Sequence, residues 1–180
     1  LSALNAFYGS EKPMLISTRH EEGAGIMADV YAKATGKTGV CMVTRGPGLT
    51  HLSIALHTAK QDSTPLVAFV GQVSSHFRHR EAFQEINVVE FGGPVSKWAV
   101  ELNDTDRVAE LVYKAFHVAE TGRPGPVIIS IPEDIDRRDC IKQPVQGQAE
   151  KISKTITEES ARTVSKMIIA AQRPCIIAGE

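Results

Sequence analysis

The sequence predicts an α/β fold, a mostly parallel sheet with helices on both faces. Short apolar runs recur along the chain, and four of the five are continuously apolar, as strands covered on both faces are. Patterns of helical period fill the intervals between them. Strand and helix alternate too regularly for an all-α or all-β chain, and parallel strands joined this way take right-handed crossovers.

The first run spans 14–17. After it, Ala24, Met27, Tyr31 and Ala34 recur at helical spacing and predict an apolar stripe, which Gly36 stops. The second strand is 40–44. Leu49, Leu52, Leu56 and Ala59 form the next stripe, halted by Asp62-Ser63-Thr64-Pro65 before a third strand at 66–70. Residues 72–95 show no clean period, and a stretch that long inside a compact domain is usually functional or partly helical. The run 97–100 is the weakest and is expected near a sheet edge. Asp104 is the expected N-cap of a helix carrying Val108, Leu111, Val112, Ala115 and Ala119 as far as Gly122, and 127–131 is the last strand of the set. Residues 133–157 are polar and rich in Gln, Lys and Asp, as a connector is. A fresh amphipathic helix over 158–171 and the start of a strand at 175–178 follow. The expected organisation is one domain over 1–132, a connector over 133–157 and the start of a second domain at 158–180. With no initiator Met and an apolar run at its end, the chain reads as an excised piece of a longer protein.

The charge balance, 20 Lys plus Arg against 21 Asp plus Glu, leaves no basic stripe for phosphate neutralisation, so no nucleic-acid partner is expected. A composition of 42% hydrophobic and 23% charged residues is that of a globular chain rather than a disordered one. No apolar run approaches the roughly 18 residues of a membrane span. Cys41, Cys140 and Cys175 lie far apart and outside any C-x-x-C pattern, which suggests neither a disulfide framework nor a zinc ribbon. Cys41 and Cys175 sit in apolar runs, as buried reduced thiols do, and a reducing, cytoplasmic compartment is expected.

In open parallel sheets, ligands bind beyond the carboxyl ends of the strands. Arg45-Gly46-Pro47-Gly48-Leu49-Thr50-His51 falls there as a rigid glycine turn feeding a helix, where a ligand can approach free backbone N–H groups. It is neither a Walker A loop nor the dinucleotide fingerprint, and a plain strand-to-helix turn would look the same. Glu21 and Glu22 open a helix, where carboxylates compensate the macrodipole, and that explains Glu22. Glu21 directly follows a strand end, where its side chain can enter a crevice and exchange a proton with a heteroaromatic ligand. His76 and His79 are spaced H-x-x-H, but no third ligand completes the set and Arg78 and Arg80 would repel a divalent ion, so no protein-built metal site is expected. No serine-hydrolase elbow is present.

These residues carry a resemblance. Arg19-His20-Glu21-Glu22-Gly23-Ala24, then Ala28-Asp29-Val30-Tyr31-Ala32-Lys33-Ala34-Thr35-Gly36, then Gly46-Pro47-Gly48, resemble the pyrimidine-binding domain of thiamine-diphosphate enzymes. Ala82-Phe83-Gln84-Glu85, Lys97-Trp98 and Gly122-Arg123-Pro124-Gly125-Pro126-Val127 extend the similarity in the same order, over roughly residues 10–135. The branch it resembles most is that of the acetolactate synthases.

The resemblance implies roles. Glu21 matches the glutamate that hydrogen-bonds N1′ of the cofactor's aminopyrimidine, a position that needs a carboxylate because an amide cannot exchange the proton. Gly46, Pro47 and Gly48, with Thr50 and His51, match the loop and helix start beside that ring. Phe83 and Gln84 match the pair on the substrate side. The implied enzyme uses thiamine diphosphate and Mg²⁺ to decarboxylate a 2-keto acid such as pyruvate and transfer the two-carbon unit. A homodimer or homotetramer through this domain is implied, with flavin (FAD) as a further cofactor some relatives carry. Ser74 stands where these synthases usually have Pro. Leu49-Thr50-His51 stands where Ala-Thr-Asn is common, closer to pyruvate-oxidase-like relatives, so a 2-keto acid decarboxylase or oxidase is the alternative. A non-catalytic α/β nucleotide-binding module is the alternative from outside the family. The Mg²⁺ motif, Gly-Asp-Gly followed by Asn some 25 to 30 residues on, is not in this sequence, so the Mg²⁺ ligands are expected outside it and these 180 residues alone are expected to be inactive.

Overall fold

The computed structural model describes residues 2–10, 13–140 and 155–177. The chain divides into two compact units, Leu1–Glu150 and Lys151–Glu180.

In the first unit, a short helix α1 (Ser2–Asn5) precedes the sheet, in which β1 (Gly39–Thr44), β2 (Leu66–Gln72), β3 (Trp98–Glu101) and β4 (Pro126–Pro132) follow the order β1-β2-β4-β3. Every pairing is parallel. The weak run does form the edge strand β3. Because side chains alternate across a strand, Cys41, Ala68, Val70 and Ile128 enter one core with α3 (Arg45–Gln61) and α4 (Val88–Val95). Val67, Val127 and Ile129 enter the other core with α5 (Val108–Glu120) and α6 (Glu133–Asp136). The continuous apolar runs thus record a sheet covered on both faces.

The expected stripe of α3 is fully buried at Leu49, Leu52, Leu56 and Ala59. That of α5 buries Leu111, Ala115 and Ala119, and the Asp104 carboxylate accepts the Asp106 N–H to open a short 3₁₀ turn just before it. Of the stripe expected on α2 (Glu21–Thr35), Ala24 packs on the core but Met27, Tyr31 and Ala34 do not. Met27 and Tyr31 are exposed, and Gly25, Ala28, Asp29 and Ala32 face inward. The reason is distance: a Cβ on Gly25 would lie 2.5 Å from Leu52 Cδ1 and Ala55 Cβ, and one on Gly39 would overlap the Ala28 backbone. Large side chains cannot enter so close a contact. The C-terminus of α2 is as expected: Gly36 is left-handed at φ 67°, its N–H donating to Ala32.

Two runs read as strands are not strands. Met14, Leu15 and Ile16 are exposed and unpaired, and among the described residues β1 pairs only with β2. Apolar content marks a segment that can be buried but does not supply the neighbouring edge on which a strand depends. Residues 175–177 likewise form no strand, and Cys175 is exposed; residue 178 lies outside the described residues. Cys41 is buried, and burial pushes its thiol up to about 12. The irregular stretch 72–95 contains a 3₁₀ turn at Ser75–Phe77 and α4. Of the polar segment 133–157, α6 packs on the sheet through Ile135, and 141–154 lie outside the described residues. The second unit contains α7 (Glu158–Ala170), whose Val164, Met167 and Ile168 are exposed. No described helix is long and apolar enough to cross a membrane.

Gly25→Ala is expected to cost about 1–3 kcal/mol by overpacking the α2–α3 contact. Gly23→Ala, whose Cβ would meet nothing nearer than 3.9 Å, is expected to gain about 0.5–1 kcal/mol. Urea denaturation of the two variants checks both.

Candidate active site

The glycine turn follows the carboxyl end of β1 as expected, but Glu21 follows no strand, because 14–17 form none; it reaches this end of the sheet at the start of α2. The chain enters α2 through His20, which is extended and accepts the Glu22 N–H on Nδ1 at 3.3 Å, an imidazole serving as N-cap. Glu21 is therefore the first helical residue. Its Oε2 lies 3.0 Å from Nδ1 of His51, six residues into α3. The His51 hydrogen bond, aided by the Glu21 backbone amide, outweighs burial and holds this carboxyl below the ordinary glutamate range. In that contact the His51 Nδ1–H donates to the carboxylate oxygen. The rings of His20 and His51 stack at 4.6 Å. Glu21 is 34% exposed, so its remaining acceptor capacity faces outward from this chain.

His20, Glu21 and His51 can also bring three ligand atoms within 4.8 Å of one another. Two imidazoles with one carboxylate suit zinc-like ions rather than Mg²⁺, which prefers oxygen donors. The positive end of α2 at Glu21 works against any cation there.

The glycine turn differs from its expected form. α3 begins at Arg45, so Gly46, Pro47 and Gly48 are its first turn rather than a loop before it. The left-handed residue is Arg45 at φ 51°, not a glycine. The Gly46 N–H is not free, because it donates to Gln84 O at 2.9 Å. A Cβ on Gly46 would meet Gln84 O at 3.1 Å and one on Gly48 would meet Val43 Cβ at 3.2 Å, so these glycines admit protein neighbours. Thr50 donates its hydroxyl to Pro47 O at 2.9 Å.

The loop between β2 and α4 brings Phe83 and Gln84 to this turn. Arg45 Nη1 donates to Phe83 O at 3.2 Å, while the Phe83 ring stays 77% exposed and Gln84 is left-handed at φ 64°. The loop is pinned at its start by Asp134, which accepts from Ser75 N at 2.7 Å and Ser75 Oγ at 2.6 Å, with Arg138 at 2.9 Å. Further along, Arg78 pairs with Glu85 at 2.8 Å and with Glu101 at 3.3 Å. Sequence reasoning singled out neither His20 nor this ion-pair cluster. Adjacency to Glu21 was a signal for His20; a loop arginine and a strand-end glutamate 23 residues apart give none. A crevice of about 410 Å³ opens beyond the carboxyl ends of β1, β2 and β4, between Arg45, Gln72, Glu133 and Arg137. Glu21, His51 and Phe83 do not line it.

The family profile described as "Thiamine pyrophosphate enzyme, N-terminal TPP binding domain" matches residues 1–91. The chain belongs to this family. Within it, the chain falls in the acetolactate synthase-like branch. It is 39% identical over 168 residues to a probable acetolactate synthase large subunit of Methanococcus aeolicus, covering 90% of this chain and 28% of that protein. The mitochondrial acetolactate synthase catalytic subunit of Aspergillus candidus is 35% identical over 192 residues, covering 100% of this chain and 28% of the relative. Acetolactate synthase isozyme 1 large subunit of Escherichia coli is 37% identical over 165 residues, with 91% and 29% covered. The chain thus spans less than a third of the length of these curated relatives.

The motifs of this thiamine-enzyme domain divide by location. Those at residues 19–24, 46–48 and 82–85 meet around the first turns of α2 and α3. The others hold the scaffold. Lys33 bridges Asp29 and Asp62, Lys97 donates to the carbonyls of Val118 in α5 and of Thr121 just beyond its end, and Arg123 closes the end of α3 through Gln61 O and Ser63 Oγ. The donor set at the first group fits an aminopyrimidine: an ionised, outward-facing carboxylate can accept from or exchange a proton with a ring nitrogen.

Burial pushes the Asp134 carboxyl up, but the Ser75 hydroxyl and amide and Arg138 overcome it and lower it from 3.8 to about 2. A depressed carboxyl stabilises the fold above its unfolded pKa and loses that contribution as pH falls through the folded one. Asp134 is therefore expected to contribute about 2 kcal/mol above pH ~5, lost between about pH 4 and pH 2. In urea titrations, Asp134→Asn is expected to flatten the stability profile across that window.

Proposed function

We propose that this chain is the pyrimidine-binding domain of a thiamine-diphosphate- and Mg²⁺-dependent enzyme that decarboxylates a 2-keto acid such as pyruvate and transfers the two-carbon unit, as acetolactate synthases do. The observation that carries the reading is the Glu21 carboxylate, placed by α2 opposite His51 and open on its other side. When bound, thiamine diphosphate supplies the electron sink for decarboxylation. Glu21 would hold a proton at N1′ of its pyrimidine, a task for a carboxylate held ionised until the ring arrives. His51 would fix the orientation of Glu21, and the first turn of α3 would pack beside the ring. Phe83 and Gln84 would face the 2-keto acid. Mg²⁺ and the diphosphate would be held by residues outside these 180, so the domain on its own would be inactive. A cytoplasmic setting belongs to the same reading and suits the buried Cys41 thiol.

The Leu49-Thr50-His51 stretch favours a second reading within the family, a decarboxylase or oxidase of the same 2-keto acid, with flavin as a further cofactor of an oxidase. Product identification separates them: acetolactate supports the carboligase, and acetaldehyde or an oxygen-dependent product supports the alternative.

The assembly proposed is a homodimer, or a homotetramer built from it, through the outer faces of α2 and α3. Met27, Val30 and Tyr31 on α2 and Ile54 on α3 are all about half exposed, an apolar face on an otherwise polar surface. Tyr31→Glu combined with Met27→Lys is expected to shift the complete protein to monomer in analytical ultracentrifugation; an unchanged assembly would remove this face from the interface.

The deciding experiment is turnover of pyruvate by the complete protein with and without thiamine diphosphate and Mg²⁺, wild type beside Glu21→Gln. Glu21→Gln is expected to lose about 10²–10⁴-fold in rate with the fold retained. A stable, fully active variant would overturn the assignment.

A further inference from the structure

The loop between β2 and α4 is organised around one carboxylate. Glu85 Oε1 accepts from His79 N–H at 2.7 Å and Arg78 Nη1 at 2.8 Å, and Oε2 accepts from Ala82 N–H at 3.3 Å. The Glu85 N–H in turn donates to Ala82 O at 2.8 Å. Arg78 reaches back to the sheet, donating through Nε to Glu101 Oε1 at 3.3 Å and through Nη1 to Ile86 O at 3.3 Å. The other oxygen of Glu101, at the end of β3, accepts from Ser130 Oγ of β4 at 3.0 Å. The Arg78 and Glu85 side chains are each 13% exposed, less than the partners of the surface pairs Arg107–Glu110 and Arg162–Glu158.

This loop needs such a clamp. Within six residues it contains three left-handed non-glycine residues, His79 at φ 63°, Glu81 at 54° and Gln84 at 64°. Conformations of that kind persist only where the surroundings over-determine them. Core packing does not hold its tip, since Phe83 is exposed. Beyond the clamp, the tip has only two ties to the first turn of α3, the Gly46 N–H to Gln84 O and the Arg45 guanidinium to Phe83 O.

We propose that Arg78 and Glu85 are positioning residues, an ion-paired clamp anchored on Glu101 that fixes Phe83 and Gln84 on the substrate side of the site. The substrate half of this inference rests on the function proposed above; the clamp itself does not. A guanidinium is required because a planar fork can bond two carboxylates and a carbonyl at once, which an ammonium does poorly. The clamp acts on where the 2-keto acid sits, not on the proton chemistry of Glu21.

The test uses the complete protein with Glu85→Gln and Arg78→Lys. Amide hydrogen exchange, read without cofactor, is expected to speed up about tenfold or more in peptides covering 78–86 while those of β2 and β4 stay unchanged. With cofactor and Mg²⁺, KM for the 2-keto acid is expected to rise about tenfold. Hydrogen–deuterium exchange at C2 of the bound cofactor, followed by NMR, is expected to stay near wild type. Arg78→Lys should fall between wild type and Glu85→Gln. Unchanged amide exchange in both variants overturns the clamp, and an unchanged KM despite a loosened loop overturns its positioning role. Loss of C2 exchange in step with KM reduces it to general structural support. If Glu21→Gln leaves C2 exchange intact, it is the reading of the site that fails, and the amide exchange still judges the clamp.

Discussion

The close approach of α2 to α3 and β1 is the constraint on which the site depends. Gly25 leaves no room for a side chain against Leu52 and Ala55, and Gly39 leaves none against Ala28. Small residues on the inner face bring the two helices near enough for Glu21, on the first residue of one, to meet His51 on the second turn of the other. The same requirement sends Met27, Val30 and Tyr31 outward. The Glu21–His51 contact and an exposed apolar face therefore share one cause, and a chain that buried its large α2 side chains would separate Glu21 from His51.

Electrostatics then works on a frame that packing has set. Glu21 sits at the positive end of a helix dipole and beside an imidazole proton, two influences that favour its ionised form. On the neighbouring loop, charge takes over the work that hydrophobic burial does elsewhere. Asp134 pins the loop's start through Ser75, Arg78 and Glu85 close its middle, and Arg45 and Gly46 receive its tip. A polar, strained segment ordered this way can present an exposed aromatic side chain without burying it.

Residues separated by a helical turn or by a short strand-to-helix step were legible in the sequence. The Leu49, Leu52, Leu56 and Ala59 stripe and the strands at 40–44, 66–70 and 127–131 follow from periodicity. The α2 stripe was misread because periodicity shows that a helix has two faces, and the size of the residues, not their hydrophobicity, decided which face went in. The runs 14–17 and 175–177 were misread because an apolar run does not identify its partner. The Gly46-Pro47-Gly48 turn was placed correctly in the chain, but its N–H group is taken by Gln84, 38 residues away, and no local rule anticipates that partner.

The sequence by itself determined the layered parallel α/β architecture, the thiamine-enzyme family and the carboxylate at position 21, because these rest on local periodicity and ordered motifs. Tertiary structure alone decided that His51 faces Glu21, that α2 turns its large apolar residues outward, and that Arg78, Glu85 and Glu101 lock the loop bearing Phe83. Each of these depends on how closely distant segments approach. That distance is set by packing volumes and by partners dozens of residues apart, which spacing along the chain does not encode.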